Sequence, residues 1–154
     1  MIHLVSYDCF VSCKGAFMYK QDLRFFDVAK SVSKTSDYGR ISIGAILVSG
    51  KEIVSAAANA KKSHPEQRRL NRLRFDDKYD NCKNSIHAEM RCILNCRDME
   101  NIRGMKLYVY REDRIGHLAN CRPCPACMEK IREVGIRDIY YTTSEGYVHE
   151  HLVY

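Results

Sequence analysis

Two short motifs limit what this chain can fold into more than any other feature. One is HAE at residues 87–89, and the other is PCPAC at residues 123–127. Zinc takes four tetrahedral ligands, and a catalytic zinc site draws three of them from the protein and leaves the fourth position to water. One histidine and two cysteines are such a set of three. The fold must therefore bring the two motifs together around one ion.

The spacing within each motif assigns the roles. Cys124 and Cys127 stand three positions apart where a helix is predicted to begin, so both can face one ion, and the exposed N–H groups of the helix start favour thiolates. Glu89 follows His87 by two residues, so it can stand beside the metal without ligating it, as a general acid/base must. We expect His87, Cys124 and Cys127 to be metal ligands and Glu89 to be catalytic.

Hydrophobic periodicity predicts the elements around these motifs. Apolar spacing predicts helices over residues 22–33, 85–96 and 124–134, with Ser85 as an N-cap and Gly135 at a stop position. Short apolar runs predict strands over residues 41–48, 52–58, 105–110, 136–142 and 147–153. The first two strands are joined by Ser49, Gly50 and Lys51, which predicts a β-hairpin.

The order of these elements predicts an α/β protein. Strands that alternate with helices imply a largely parallel sheet covered by helices, entered here through one antiparallel hairpin. In such sheets, ligands bind near the carboxyl ends of the strands, where helices begin. Both motifs fall at such positions.

The pattern H-x-E followed by P-C-x-x-C is the signature of the zinc-dependent nucleobase deaminases. With its hairpin, helix and strand order, the chain resembles the cytidine and deoxycytidylate deaminase superfamily from about Ile41 to Thr143. The resemblance implies a three-layer α/β/α fold with a central mixed sheet of about five strands. It also implies a homo-oligomer.

By position, the resemblance implies that His87, Cys124 and Cys127 hold Zn²⁺ and that Glu89 carries the proton. It places the backbone around Ala88 against the base. Asn59 matches an asparagine that hydrogen-bonds the sugar in this superfamily, although a turn residue is the alternative reading.

The other cysteines have different expected roles. Cys121 lies in the loop before the second motif, so we expect it not to be a ligand but to lie near the pocket, where it could be reactive. Cys9 and Cys13, and likewise Cys92 and Cys96, are spaced four residues apart. We expect buried thiols, with a second zinc site as the alternative. Cys82 has no evident partner in the sequence.

A basic insertion at residues 59–84 carries eight Lys and Arg against four Asp and Glu. Pro65 and Glu66 predict the start of a short helix there, with Leu70 and Leu73 on one side. Lys61 and His64 follow Asn59 closely, so they are candidate contacts for a 5′-phosphate, while a solvated, charge-rich helix is the alternative.

The substrate is less well specified than the metal site. A free pyrimidine nucleotide or nucleoside ranks above single-stranded DNA or RNA, because the insertion lacks a long basic track with stacking aromatics. A catalytically silent zinc or nucleotide-binding module is the third possibility, and the intact Glu89 argues against it. Arg91, and Asn120 to Arg122 before the second motif, depart from the sequences of typical relatives.

Composition limits the remaining classes. The 154 residues fit one domain over 1–154, and no apolar run approaches the length of a membrane-spanning helix. The formal net charge of +6 favours an anionic partner. Eight cysteines without a secretory signal favour a reducing compartment. We therefore expect a cytoplasmic enzyme with no membrane association.

Overall fold

The computed structural model describes residues 11–13, 16–74 and 84–154. The helices and strands, numbered in chain order, are β1 (Val11–Cys13), β2 (Ala16–Met18), α1 (Lys20–Ser33), β3 (Ile43–Ser49), β4 (Glu52–Ala58), α2 (Pro65–Arg74), α3 (Ala88–Leu94), β5 (Lys106–Arg111), α4 (Pro125–Val134), β6 (Asp138–Thr143) and β7 (Gly146–His151). A short 3₁₀ helix, Ile102–Gly104, precedes β5. The pairing of β1 with β2 lies outside the predicted elements.

Five strands form the central sheet in the order β4-β3-β5-β6-β7. Among neighbouring strands of this sheet, only β5 and β6 pair in parallel, and the crossover helix α4 connects them. The other three pairs are antiparallel. The sheet is therefore mixed, as the resemblance implied, and the expectation of a largely parallel sheet is wrong. Residues 144 and 145 form a turn too short for a parallel connection into β7.

Helices cover both faces of the sheet, which confirms the three-layer arrangement. On one face, Phe26 and Ala29 of α1 are fully buried in a cluster that includes Ile46 and Tyr108. On the other face, Ile93 of α3 and Ile131 of α4 pack in a second cluster. The strand residues of that cluster are Ala45, Leu47, Ala57, Leu107, Val109, Ile139 and Tyr141. Alternate residues of β3 and β5 thus enter opposite clusters, as the period of two in a strand requires.

Helix α1 lies very close to β3 at Gly44. A β-carbon built at Gly44 would stand 2.1 Å from the carbonyl oxygen of Ala29 and 2.5 Å from the amide nitrogen of Ser33. Because those atoms belong to the helix backbone, no side-chain rotation can relieve the overlap. Glycine is therefore required here for the close approach of helix and strand.

Two helices, α3 and α2, differ in detail from their predictions. Helix α3 begins at Ala88 rather than Ser85, and Ser85 instead forms an isolated β-bridge with Ser63. On α2, Leu70 is fully buried but Leu73 is 61% exposed, so the two leucines do not share an environment. No helix in the described part of the chain has the length and apolarity needed to cross a membrane.

Candidate functional site

The two sequence motifs meet at the amino ends of α3 and α4. The Nδ1 atom of His87 lies 3.5 Å from Sγ of Cys124 and 3.4 Å from Sγ of Cys127. Nitrogen and sulfur ligands of one tetrahedral zinc ion stand about 3.6 Å apart. The three donor atoms all lie within 4.8 Å of one another, and they are the one such group found among the described residues. Their spacing and chemistry fit a zinc ion.

Local sequence places each ligand at a helix boundary. His87 and Cys124 are the extended N-cap residues of α3 and α4, so both side chains leave the chain just before a helix starts. Pro125 suits the first turn of α4 because that position needs no backbone donor. Gly135 ends the same helix with φ of 84°, a conformation that glycine adopts without strain.

The electrostatics of the ligands favour an ion between them. Hydrogen bonding with Cys127, and then with His87, lowers the pKa of Cys124 to about 4. The interaction with Cys124, together with burial, raises the pKa of Cys127 well above its ordinary value. Burial alone would lower the pKa of His87, but the Cys124 thiolate and the charge of Glu89 raise it. These shifts favour a thiolate at Cys124, which is the form of cysteine that binds a metal ion.

Glu89 lies beside this group on the first turn of α3. It is 4% exposed, and its Oε2 atom is 3.9 Å from Sγ of Cys127. Burial raises the pKa of Glu89 to about 7, while His87 opposes the shift. A carboxyl group with a pKa near neutrality can both take and give a proton under ordinary conditions.

Helix α2 supports the histidine through a residue that the sequence did not single out. Gln67 is fully buried, and its Oε1 atom accepts a hydrogen bond of 3.0 Å from the backbone N–H of His87. Its Nε2 atom donates to Oδ1 of Asn71 at 2.9 Å. Leu70 of the same helix packs in a cluster with Met90 and Cys127. Helix α2 of the basic insertion therefore stabilises the positions of His87 and Cys127.

Cys121 lies outside the ligand group, in the loop before α4, and its side chain is held against strands β5 and β6. Its thiol contacts the carbonyl oxygen of Val109 at 3.3 Å and Oγ1 of Thr142 at 3.1 Å. Burial raises the pKa of Cys121 to about 12, so the reactive thiol considered from the sequence does not match its surroundings. Cys92 is also buried, with its pKa raised to about 12 by burial. Cys96 is likewise buried.

A second zinc site finds no support among the described residues. Cys92 and Cys96 do not belong to any group of metal-ligating atoms there. Cys9, Cys82 and the side chain of Cys13 fall outside the part of the chain that the structure describes.

A cavity of about 400 Å³ opens beside the metal ligands. Its walls include the candidate metal ligands His87 and Cys124, the catalytic candidate Glu89, the polar residues Tyr38, Asn59 and Asn120, and the cations Arg111 and Arg122. A larger, more open groove of about 770 Å³ runs along α2, but none of the metal ligands line it. The smaller cavity is therefore the candidate substrate site.

Of the predicted substrate contacts, Asn59 and Ala88 lie at or next to the cavity, whereas His64 and Lys61 lie away from it. Asn59 lines the cavity, and its side chain also bonds to Ser36, Ile41 and Ile43. Ala88 is fully buried directly after His87. His64 lines the groove along α2 instead of the cavity, and its Nδ1 atom accepts from the backbone N–H of Glu66.

Lys61 is exposed and does not line the cavity, while its backbone N–H donates to Asp37. Neither Lys61 nor His64 therefore forms part of the cavity wall. Arg111, Asn120 and Arg122 occupy that wall instead, and no substrate role was assigned to them from the sequence.

Comparison with known proteins agrees with this geometry. The model of the cytidine and deoxycytidylate deaminase zinc-binding region matches residues 19–143. The dCMP deaminase from the cyanophage S-TIM5, solved in complex with dCMP and dUMP, is 20% identical with a TM-score of 0.53, and the match covers 80% of this chain and 82% of that one. Cytidine deaminase from Burkholderia pseudomallei is 15% identical with a TM-score of 0.56, over 87% and 93% of the two chains.

A search of curated protein sequences finds no significant match. At these identities the two solved structures show a shared fold only, whereas the match to the family model shows family membership. The chain therefore belongs to the family defined by the cytidine and deoxycytidylate deaminase zinc-binding region.

Proposed function

We propose that this chain is a zinc-dependent hydrolytic deaminase of a nucleobase, acting on a free pyrimidine nucleotide or nucleoside and releasing ammonia. The observation that carries the proposal is the position of Glu89. It is a buried carboxyl group beside His87, Cys124 and Cys127, on the wall of a cavity large enough for a nucleotide. A module that only bound zinc would not need this carboxyl group.

The residues of the site suit hydrolysis of an exocyclic amine. His87, Cys124 and Cys127 would hold the zinc ion, which supplies Lewis acidity and lowers the pKa of water when bound. Glu89 takes a proton from the attacking water and delivers it to the ring nitrogen, and it then carries the proton of the added hydroxyl group to the leaving amine. Water and the amine are consumed, and a carbonyl and ammonia are produced. The burial that raises the pKa of Glu89 suits a group that must both take and give a proton.

The cavity wall supports a nucleoside portion of the substrate. We propose that the backbone at Ala88 borders the base and that Asn59 contacts the sugar, as the family resemblance implies. The cyanophage relative was solved with dCMP and dUMP, which supports a pyrimidine nucleotide for this chain as well. Homo-oligomerisation and a cytoplasmic location complete the proposal, and light scattering tests the first of them.

Deamination of a base in single-stranded DNA or RNA is the second candidate. The open groove along α2 favours it, because His64, Arg68, Arg69 and Arg72 line that groove. Arg69, however, pairs with both Glu66 and Glu133, so its charge is already compensated. The free nucleotide or nucleoside therefore remains the first candidate.

Ammonia release from a panel of substrates tests the proposal. The panel comprises dCMP, CMP, deoxycytidine, cytidine, guanine, adenosine and a cytosine-containing single-stranded oligonucleotide. We expect turnover of a free cytosine compound by the wild type and loss of about 10²- to 10⁴-fold in Glu89→Ala. Turnover of the oligonucleotide alone would select the second candidate. Full activity of Glu89→Ala would refute the catalytic role.

A further inference from the structure

The mouth of the candidate substrate cavity carries two arginines that meet at one loop residue. Arg111 is the last residue of β5, and its Nη1 atom donates to the carbonyl oxygen of Asn120 at 3.0 Å. The backbone N–H of Arg122 donates to Oδ1 of the same asparagine at 3.1 Å. Both arginines and Asn120 line the cavity. The carboxyl end of a strand is where α/β sheets hold their ligands.

The charges of these two arginines are balanced differently. Arg122 binds the buried carboxylate of Glu150 through Nε at 3.0 Å and Nη2 at 2.7 Å. Tyr141 donates a further hydrogen bond of 2.9 Å to that carboxylate. Arg122 is therefore fixed in place and its charge is compensated. Arg111 has no carboxylate partner within the described ranges 11–13, 16–74 and 84–154, so its charge stands at the cavity mouth uncompensated.

The positive character continues past Arg111. Arg111 also lines a neighbouring polar groove together with Lys34, Arg40 and Arg114. The two acids of that groove have other partners. The Glu112 carboxylate accepts from the hydroxyl of Tyr110 and pairs with Lys30. Asp113 accepts from the backbone N–H groups of Ile115 and His117. An anionic group that leaves the cavity past Arg111 would therefore stay in a favourable potential.

We propose that Arg111 binds a phosphate group of the substrate and makes this chain select 5′-nucleotides over nucleosides. This inference rests on the proposed function and adds the substrate class. A guanidinium group matches the geometry of phosphate and gains strength from its charge. The proposed phosphate contact lies at the end of β5, whereas Lys61 and His64 of the basic insertion lie outside the cavity.

Two measurements on Arg111→Gln test the proposal. In the ammonia assay, we expect kcat/KM for dCMP to fall about 10- to 100-fold, mainly through KM, while kcat/KM for deoxycytidine changes less than about threefold. By titration calorimetry, we expect the Kd for dUMP to rise by the same factor and the Kd for deoxyuridine to stay constant. Arg111→Lys, which keeps the charge, should recover part of the loss.

Lys51→Gln is the matched control, since it removes one positive charge from the exposed turn at the opposite end of β3. It should leave all four quantities unchanged. Equal losses on nucleotide and nucleoside in Arg111→Gln would make Arg111 a tether of the loop and overturn the proposal. Equal binding of dUMP and deoxyuridine by the wild type would also overturn it. Arg111-dependent binding of dUMP without any ammonia release would instead support the phosphate contact and contradict the proposed deaminase.

Discussion

Replacing Asn59 with alanine should destabilise the fold, whatever the residue does for the substrate. The Oδ1 atom accepts hydrogen bonds from Oγ of Ser36 at 2.6 Å and from the backbone N–H of Ile43 at 3.0 Å. The Nδ2 atom donates to the carbonyl oxygen of Ile41 at 2.8 Å. Ser36 keeps a second acceptor in the backbone oxygen of Asn59, so the substitution leaves two backbone groups unpaired. At about 1–2 kcal/mol for each, the free energy of unfolding should fall by about 2–4 kcal/mol.

Urea unfolding followed by circular dichroism measures this loss. Ser36→Ala is the control. It removes the hydroxyl that donates to Asn59 and accepts from the part-buried backbone N–H of Tyr38, while Oδ1 of Asn59 keeps its bond to Ile43, and we expect a smaller loss, of about 1 kcal/mol. An unchanged free energy of unfolding in Asn59→Ala would refute the structural role. A rise in KM for both nucleotide and nucleoside, measured where the variant is folded, would reveal the proposed sugar contact separately.

Three further predictions follow from other contacts. Gly44→Ala should lower the free energy of unfolding by at least about 2–3 kcal/mol, because the added carbon meets the carbonyl of Ala29 at 2.1 Å, and an unchanged melting temperature would contradict that packing. Cys121→Ser should retain the zinc content of the wild type, measured by mass spectrometry, whereas Cys124→Ser should lose it; zinc loss in the first variant would mean that the ligand pair is misassigned. Hydrogen bonding, chiefly from His149, lowers the pKa of Asp138 to about 2, so the pair stabilises the fold above about pH 4 and ceases to do so as the pH falls toward 2. Asp138→Asn should therefore melt below the wild type at neutral pH, with a difference that shrinks in acid, and a constant difference would refute the linkage.

The metal ligands could be predicted from the sequence because the spacings that identify them are local. The spacing of Cys124 and Cys127 and the two-residue step from His87 to Glu89 are each set within one helical turn. Only the meeting of the two motifs needed the fold. Gln67 could not be identified in this way, because its bond to His87 joins residues 20 positions apart and exists only once α2 has docked.

Charge patterns were less informative than ligand spacing. A run of basic residues after Asn59 indicated an anion contact, but the burial of Gln67 and Leu70 fixes which side of α2 faces the protein. His64 and Arg68 consequently line an outer groove. The cations on the cavity wall come from the end of β5 and from the loop before α4, and sequence periodicity does not show that these segments meet.

The mixed five-stranded sheet that the resemblance implied is confirmed, but the largely parallel pairing expected from the element order is wrong for a related reason. Alternation of strands and helices favours parallel pairing. The direction of a strand, however, depends on whether the chain enters it through a short turn or through a crossover helix. Two short turns, after Ser49 and after Thr143, reverse the chain, and β5 then pairs antiparallel with β3. The alternation by itself therefore specified the layers and left the strand directions open.

The central claim is that His87, Cys124 and Cys127 hold a zinc ion beside a catalytic Glu89. Ammonia release from dCMP by wild-type protein and by Glu89→Gln, with the zinc content of both samples determined, tests it most directly. We predict one zinc per chain in both proteins, and a rate for the variant that is lower by about 10²- to 10⁴-fold. Equal rates at equal zinc content, or a wild-type protein that binds no zinc, would contradict the account.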